Sequence, residues 1–295
     1  MVMPRFTRIA ILVFCTSFAA LAFINVEGFI DASRQGFSLF TQSVLPVLFP
    51  FFFITSLAIH GGASKPWQVY AFSLLGGFPT SARMISELHE RGQLSRRQSI
   101  RLCIATSFPS PIFIVATVGI SLFASIQIGL IALAAITIGA AINGFLYKPT
   151  NGRPQVAPTK PTVGALPQQS PLSAALQSAI QGIMMVGGLI VIFYIIGAQI
   201  DSLFNLPPAL DVTTSSLLEM TAGVFRLSSL NMTPFVQTIT VTAILAFSGL
   251  CIGLQGMLFF KKFGMSLRFY FLYKTTHALL AILVAICLAG FINWM

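Results

Sequence analysis

Long apolar runs, separated by short polar segments, dominate this chain of 295 residues. An α-helix needs about 20 consecutive, mostly apolar residues to cross a bilayer. Seven runs reach that length, so the pattern predicts seven transmembrane helices. They lie at about 9–30, 37–59, 103–124, 126–147, 174–198, 235–260 and 269–293.

The first apolar run is open to a second interpretation. It follows a basic start and contains Ala-Leu-Ala at 20–22, as a cleavable signal peptide does. The run continues through Phe23 and Ile24, however, and is longer than a usual signal core. An N-terminal transmembrane helix within 1–36 is therefore favoured, with cleavage of 1–22 as the alternative.

Two shorter apolar stretches, at about 66–82 and 211–230, contain residues that interrupt helices. The first is broken by Gly-Gly-Phe-Pro and the second near Thr-Ala-Gly at 221–223. If each stretch enters the membrane and returns to the same side, the basic loops share one face, as cytoplasmic loops do. A full crossing by either stretch would put strongly basic loops on the opposite face. The charges thus predict two re-entrant hairpins, with the N-terminus and 148–172 in the cytoplasm.

The composition excludes an ordinary water-soluble protein. Hydrophobic residues make up 56% of the chain and charged residues 8%, and the mean hydropathy is +0.87. Soluble domains carry about 25% charged residues. The predicted fold class is therefore an all-α polytopic membrane protein, with the lipid bilayer as its surroundings.

The remaining composition points to neither nucleic acid nor a metal. The net charge is +10, but the basic residues lie between apolar runs, and no basic patch is interleaved with aromatic residues. The four cysteines are isolated, and His60, His89 and His277 are scattered. Because metal sites need clustered ligands, no metal and no other cofactor is predicted.

The chain divides into two halves around a proline-rich stretch at 148–172. A proline every few residues predicts an extended linker; the alternative, a small ordered cap, would have little to bury. The halves, 37–147 and 173–295, each contain a span, a hairpin and two further spans, in opposite orientations. "SLLGGFPTSAR" and "SLLEMTAGVFR" also place Arg83 and Arg226 ten residues after a serine. An inverted repeat is therefore predicted.

Inverted repeats with broken helices are the architecture of many secondary transporters, whose substrate sites lie near the midplane where the halves meet. After the first break a helix is predicted to begin at Thr80 and Ser81, and free N–H groups at a helix start attract anions. Arg83 and Arg226 would add a cation at each tip. The pattern thus predicts a site for a small organic anion at the two hairpin tips. The predicted substrate-binding residues are Gly77, Pro79, Thr80, Ser81, Arg83, Ser107, Ser110, Glu219, Thr221, Arg226, Ser248 and Gln255.

Structural roles are the alternative for several of these residues. Arg83 could extend to the cytoplasmic surface as a topology anchor. Arg226 could pair with Glu219, two helical turns away. The prolines of "TSFPSPIF" could have the structural role of bending a helix. The glycines of "AFSGLCIGLQG" could allow neighbouring helices to pack closely.

The polar segment "SELHERGQLSRRQSIRL" predicts a helix-turn-helix at the membrane surface. Gly92 is suited to ending one helix, and Ser95 with Gln98 forms a capping box for the next. Its charges are expected to hold the first hairpin at the cytoplasmic face.

The segment "GGFPTSARMISELHERGQLSRRQSIRLCIATSFPSPIFIVATVGISLF" resembles the YlbJ-type sporulation integral membrane proteins of the nucleoside-recognition, or Gate, group. The family pattern is a Gly-aromatic-Pro turn ending in small and basic residues, then a helical loop, then a segment with serine and proline. The matching residues are Gly77, Phe78, Pro79, Ser81, Ala82, Arg83, Gly92, Leu94, Ser95, Ser110 and Pro111. "SLLEMTAGVFRLS" and "FSGLCIGLQ" resemble the second repeat, so the similarity covers about 37–290.

The resemblance implies a transporter-like protein of the bacterial inner membrane. The Gate group is also related to parts of the concentrative nucleoside transporters and of an iron transporter. In sporulating bacteria the family is linked to passage of dipicolinic acid, a small dicarboxylate. This chain has "SFPSP" where family members more often have Asn-Ser-Ser-Gly-Pro, which leaves the substrate open at this point.

Three function classes follow. The first is a transporter or facilitator for a small organic anion, driven by a gradient or a partner because the sequence has no P-loop; Glu219 is the acidic residue best suited to sodium or proton coupling. The second is a non-transporting envelope or sporulation factor acting through protein partners, with a homo-oligomer as a further option. The third is an intramembrane serine enzyme using Ser248 and His277. It lacks the GxSG context, and "LHER" is not a HExxH zinc site, so we predict no enzymatic activity.

Overall fold

The structure, a computed structural model, describes residues 5–62, 65–78, 80–147 and 170–291. Pro79 and positions 148–169 of the predicted linker lie outside the described residues. Within the described ranges every regular element is helical, which confirms the all-α prediction.

The N-terminal part is more continuous than the sequence pattern predicts. Helix α1 (Arg5–Ile24) ends at Asn25, whose side chain accepts a hydrogen bond from the Gly28 N–H and caps α2 (Val26–Leu39). A π-helical turn (Phe40–Val44) then leads directly into α3 (Leu45–His60).

The gap at 31–36 between the first two predicted spans, and with it the boundary before 37, therefore falls inside a continuous helical run. The physical reason is the pattern of burial along α2. Asp31 and Arg34, which interrupt the apolar pattern of the sequence, lie on the exposed face of α2. Ala32 and Gly36 are buried on its other face. A Cβ atom at Gly36 would lie 3.3 Å from Tyr194 Cβ, so the helix packs closely there.

The rest of the first half contains a helical hairpin and a broken helix. The hairpin consists of α4 (Pro66–Gly76) and α5 (Thr80–Glu90). Helix α6 (Arg96–Thr106) is separated by an irregular segment from a π-helix (Phe113–Leu122), and α7 (Ile126–Leu146) follows.

The predicted helix-turn-helix between α5 and α6 is confirmed. Gly92 adopts φ +71°, a left-handed conformation suited to glycine. Ser95 and Gln98 form the complete reciprocal capping box at the start of α6.

The second half repeats this order of elements. Helix α8 (Pro171–Phe204) is followed by a hairpin of α9 (Pro208–Leu218) and α10 (Met220–Ser228). Next comes a helix broken at Ser248, formed by α11 (Pro234–Phe247) and α12 (Gly249–Phe260). A 3₁₀ turn (Lys261–Phe263) leads to α13 (Leu267–Phe291).

Five helical runs of the described chain are long and apolar enough to cross a membrane. The predicted span 9–30 corresponds instead to α1, which ends before Asn25, and the predicted span 103–124 is divided between α6 and the π-helix. The protein is thus a multi-pass membrane protein, while the depth of its hairpins in the bilayer stays a prediction. The five runs are Val26–His60, Ile126–Leu146, Pro171–Phe204, Pro234–Phe263 and Leu267–Phe291.

Packing between the halves brings equivalent elements together. Helix α3 packs against α8, and α7 packs against α13. The return helix of each hairpin contacts the second part of the broken helix of the other half: α5 contacts α12, and α10 contacts the π-helix. Both hairpin turns and both helix breaks therefore lie at the centre of the bundle.

Candidate functional site

The turn of the first hairpin lies against the break that follows α6. Gly77 adopts φ +64°, and a Cβ atom there would be only 2.3 Å from the backbone nitrogen of Ser110. The Phe78 N–H donates to the Phe108 carbonyl at 2.8 Å, and the Ser81 hydroxyl donates to the Thr106 carbonyl at 3.3 Å. The polar backbone of the break is thus satisfied in part by the hairpin turn, as burial away from water requires.

The turn of the second hairpin lies in the same way against the break between α11 and α12. Glu219 has an extended backbone (φ −145°), and its carboxylate caps α10 by accepting the Ala222 N–H at 2.7 Å. Gly249, after the break, adopts φ +74°, and a Cβ there would be 2.8 Å from the Ser216 carbonyl oxygen. Each hairpin therefore depends on a glycine to approach the broken helix of its own half.

A cavity of about 30 Å³ lies between the two turns and the two broken helices. It is large enough for one or two water-sized occupants. Among the described residues that line it, Glu219 is the only charged one. The lining residues are Val44, Leu48, Phe78, Pro109, Ser110, Phe113, Val186, Ile190, Glu219, Met220, Thr221, Ile252 and Gln255.

Four of the predicted substrate-binding residues line this cavity, namely Ser110, Glu219, Thr221 and Gln255. Five others are buried in the packing around the turns without lining it, and Pro79 lies outside the described residues. These five are Gly77, Thr80, Ser81, Ser107 and Ser248.

The two predicted arginines do not line the cavity. Arg83 extends from α5 to α8, where its Nη1 donates to the Ser178 carbonyl at 2.5 Å. Arg226 forms an ion pair with Asp211 on α9, and Asp201 lies 4.0 Å away. The sequence analysis predicted that both guanidinium groups converge at the hairpin tips. In the structure each contacts a neighbouring helix instead, α8 for Arg83 and α9 for Arg226.

The alternative pairing of Arg226 with Glu219 is also replaced, by the Asp211 pair. Glu219 precedes α10 and caps its first turn, whereas Arg226 lies in the last turn of this nine-residue helix. Their side chains consequently leave opposite ends of the helix, and Asp211 in the first turn of α9 is the acid within reach. Sequence separation alone could not identify this partner on a neighbouring helix.

We expect the Arg226–Asp211 pair to contribute measurably to stability. The two side chains are only 17% and 19% exposed, and a double-mutant cycle of Arg226→Ala and Asp211→Ala should give a coupling of about 1–3 kcal/mol. Thermal unfolding of the four proteins in detergent measures it. The control is the same cycle on Arg34 and Asp31, which are 76% and 63% exposed and should couple by only about 0–0.5 kcal/mol. Equal couplings in the two cycles would contradict this expectation.

Lys274 on α13 is a buried charged residue that the sequence analysis did not select. Its side chain is fully buried, and its Nζ donates to the Ser107 carbonyl at 2.6 Å. The hydroxyl of Ser107 accepts a hydrogen bond from the Tyr273 hydroxyl at 3.2 Å. Lys274 lies inside the predicted span 269–293, and a charge inside a transmembrane helix is a functional signal on its own. That signal could have found it.

In the described structure Ser248 and His277 each contact a backbone carbonyl rather than each other. The Ser248 hydroxyl donates to the Leu245 carbonyl at 2.9 Å, and His277 Nε2 lies 2.9 Å from the Ile136 carbonyl oxygen. Neither side chain hydrogen-bonds to the other among the described residues.

Comparison with known proteins gives one clear relative. The chain is 25% identical over 281 residues to the sporulation integral membrane protein YlbJ of Bacillus subtilis (strain 168). The matched region covers 76% of this chain and 69% of that protein. The chain is thus similar to a sporulation integral membrane protein of the YlbJ type over about three quarters of its length. No family model and no solved structure matches it, and the Gate-domain assignment stays a prediction.

The described residues of the motif's Gly-aromatic-Pro turn and of its serine-proline segment lie at the centre of the fold. Gly77 forms the first turn, and Phe78 and Ser110 line the cavity. The departure "SFPSP" forms the break itself, where the Phe108 carbonyl accepts the Phe78 N–H. The motif therefore encodes the contact between a hairpin turn and a helix break.

Proposed function

We propose that this protein is a transporter or facilitator of the bacterial inner membrane, which passes a small solute between its two hairpin turns. The observation that supports this most is the convergence of both turns and both broken helices on one cavity. Irregular backbone at membrane depth is tolerated where protein or a wet cavity satisfies it. In secondary transporters such breaks mark the substrate and coupling-ion sites.

The substrate class that we propose is a small organic anion, with a dicarboxylate such as dipicolinate favoured by the family resemblance. Sites for small molecules typically enclose about 300–1,000 Å³, so a cavity of about 30 Å³ must enlarge by separation of the turns. Arg83 is then the better placed cation, because its partner is the neutral Ser178 carbonyl, which it can exchange for a carboxylate. Arg226 already holds the carboxylate of Asp211.

Uptake into proteoliposomes tests this proposal. Labelled dipicolinate, a second dicarboxylate and a nucleoside are offered to vesicles containing the wild-type chain or Arg83→Gln. We expect saturable uptake of a dicarboxylate, reduced about tenfold or more in Arg83→Gln because one charge-assisted hydrogen bond is lost. Arg34→Gln, which changes an exposed arginine on α2, is the control and should leave uptake unchanged. Equal dicarboxylate uptake by wild-type and Arg83→Gln protein, or uptake of the nucleoside alone, contradicts the anion proposal.

A second candidate is a non-transporting envelope factor that acts through protein partners. The observation that favours it is the small size of the central cavity, which as it stands admits no organic solute. The relative is also described as a sporulation integral membrane protein rather than as a carrier. The uptake experiment separates the two candidate functions. If the protein is a non-transporting factor, correctly folded wild-type protein takes up none of the solutes.

A further inference from the structure

Glu219 is an almost completely buried carboxylate that has no basic partner in the part of the chain that the structure describes. Its residue is 1% exposed, and among the described residues no lysine or arginine forms a salt bridge with it. The Ala222 N–H donates to Oε2, and Thr221 also contributes hydrogen bonds. A carboxylate offers about four lone-pair sites, so these donors leave room for a further ligand. Burial of an uncompensated charge is costly, and either a bound cation or a proton removes this cost.

Gln255 supplies an independent observation at the same cavity. Its residue is 2% exposed, and its Nε2 donates to Cys251 Sγ at 3.2 Å. This contact fixes the amide with the oxygen as the remaining polar atom. Oε1 is fully buried and has no hydrogen-bond partner among the described residues. An unsatisfied buried oxygen in a native site calls for an explanation, such as an ion or a water molecule.

The other polar groups of the cavity are also oxygen atoms. The Ser110 hydroxyl oxygen accepts the Phe113 N–H at 3.3 Å, and Thr221 adds a second hydroxyl. The oxygen-bearing side chains come from the second hairpin turn and both broken helices, namely Glu219, Thr221, Ser110 and Gln255. This set of oxygen ligands therefore forms only when the two halves are assembled. Hard cations prefer oxygen ligands of this type.

We propose that this cavity binds one dehydrated monovalent cation, sodium. The single carboxylate provides one negative charge, which balances a monovalent rather than a divalent ion. The volume of about 30 Å³ accommodates one or two water-sized occupants and excludes an organic solute. The inference rests on the hairpin-turn site of the proposed function: a bound cation neutralises Glu219 and so permits an anion to approach the turns.

The test reads ion binding directly, so that it is independent of transport. Purified full-length protein in detergent is titrated with NaCl at constant ionic strength, with choline chloride as the balancing salt, and with KCl in parallel. We expect sodium to raise Tm saturably by about 2 °C or more, as a ligand specific for the folded state does. Equilibrium dialysis with radioactive sodium should give about one ion per chain, the stoichiometry of a single site.

Matched variants locate the site. Glu219→Gln removes the charge and Gln255→Leu removes the unpartnered oxygen, and each should weaken sodium binding about tenfold or more, the loss expected for one charge-assisted contact. Glu27→Gln on the exposed face of α2 and Gln199→Leu, at another buried glutamine, are controls that should keep wild-type binding.

Several outcomes overturn the inference. A wild-type protein that binds no sodium, or a Tm that rises with acid but not with sodium, assigns the cavity to water or to a proton. Undiminished binding by folded Glu219→Gln and Gln255→Leu places the ion elsewhere. If both variants fail to fold, the wild-type stoichiometry still decides. Sodium binding without uptake of any solute supports the inference and contradicts transport, whereas uptake without sodium binding does the reverse.

Discussion

Replacement of Gly77 by alanine is expected to lower the Tm of the protein strongly and to separate the first hairpin turn from the break after α6. The new Cβ would lie 2.3 Å from Ser110 N and 2.8 Å from both Ser110 Cα and the Pro109 carbonyl carbon. These are backbone atoms, which cannot turn aside as the end of a side chain can. Overpacking of this kind costs about 1–3 kcal/mol, and a left-handed backbone adds about 1–2 kcal/mol for alanine. Thermal unfolding in detergent measures the sum.

Gly62→Ala is the matched control, because Gly62 also has a positive φ (+96°) but a Cβ there meets nothing within 4 Å. It carries the backbone cost without the collision. Gly188→Ala is a second control, in the interior of α8 with open space around it, and should be neutral or slightly stabilising. A Gly77→Ala protein as stable as Gly62→Ala would mean that the turn does not pack against Ser110 as described.

Lys274→Ala is expected to have a similarly large effect. The substitution removes the Nζ group that donates to the Ser107 carbonyl, and it leaves a cavity where a fully buried side chain was. An unsatisfied buried acceptor costs about 1–3 kcal/mol, and truncation of a long buried side chain adds about 2 kcal/mol or more. The expected loss is therefore about 3 kcal/mol or more, observed as a lower Tm of the purified protein.

Lys274→Met separates the two contributions, because methionine keeps most of the volume and loses only the amine. It should recover the part of the Tm that depends on filled space. Lys262→Ala removes a lysine from the exposed pair with Glu90 and should cost less than about 1 kcal/mol. If Lys274→Ala proved as mild as Lys262→Ala, the Nζ–Ser107 contact would not hold α13 to the break.

The sequence by itself determined the features that depend on neighbouring residues along the chain. Runs of about 20 apolar residues predicted the helices at 126–147, 174–198, 235–260 and 269–293, because a bilayer span is set by local composition. Gly92 and the Ser95–Gln98 capping box were predicted correctly, since a cap is formed within a few residues. The break at Gly-Gly-Phe-Pro was also predicted from its own residues, because glycine and proline interrupt helices.

Only the tertiary structure decided which polar side chains meet. Asp211 lies on the helix preceding that of Arg226, Ser178 lies 95 positions from Arg83, and Ser107 lies 167 positions from Lys274. Long basic side chains reach acceptors on whichever helix packs beside them, so their partners depend on how the two halves assemble. The same packing brought Glu219 and the unpartnered oxygen of Gln255 to one small cavity. The sequence named both residues as candidates, but the size of the cavity and its oxygen-rich chemistry exist only where six distant segments converge.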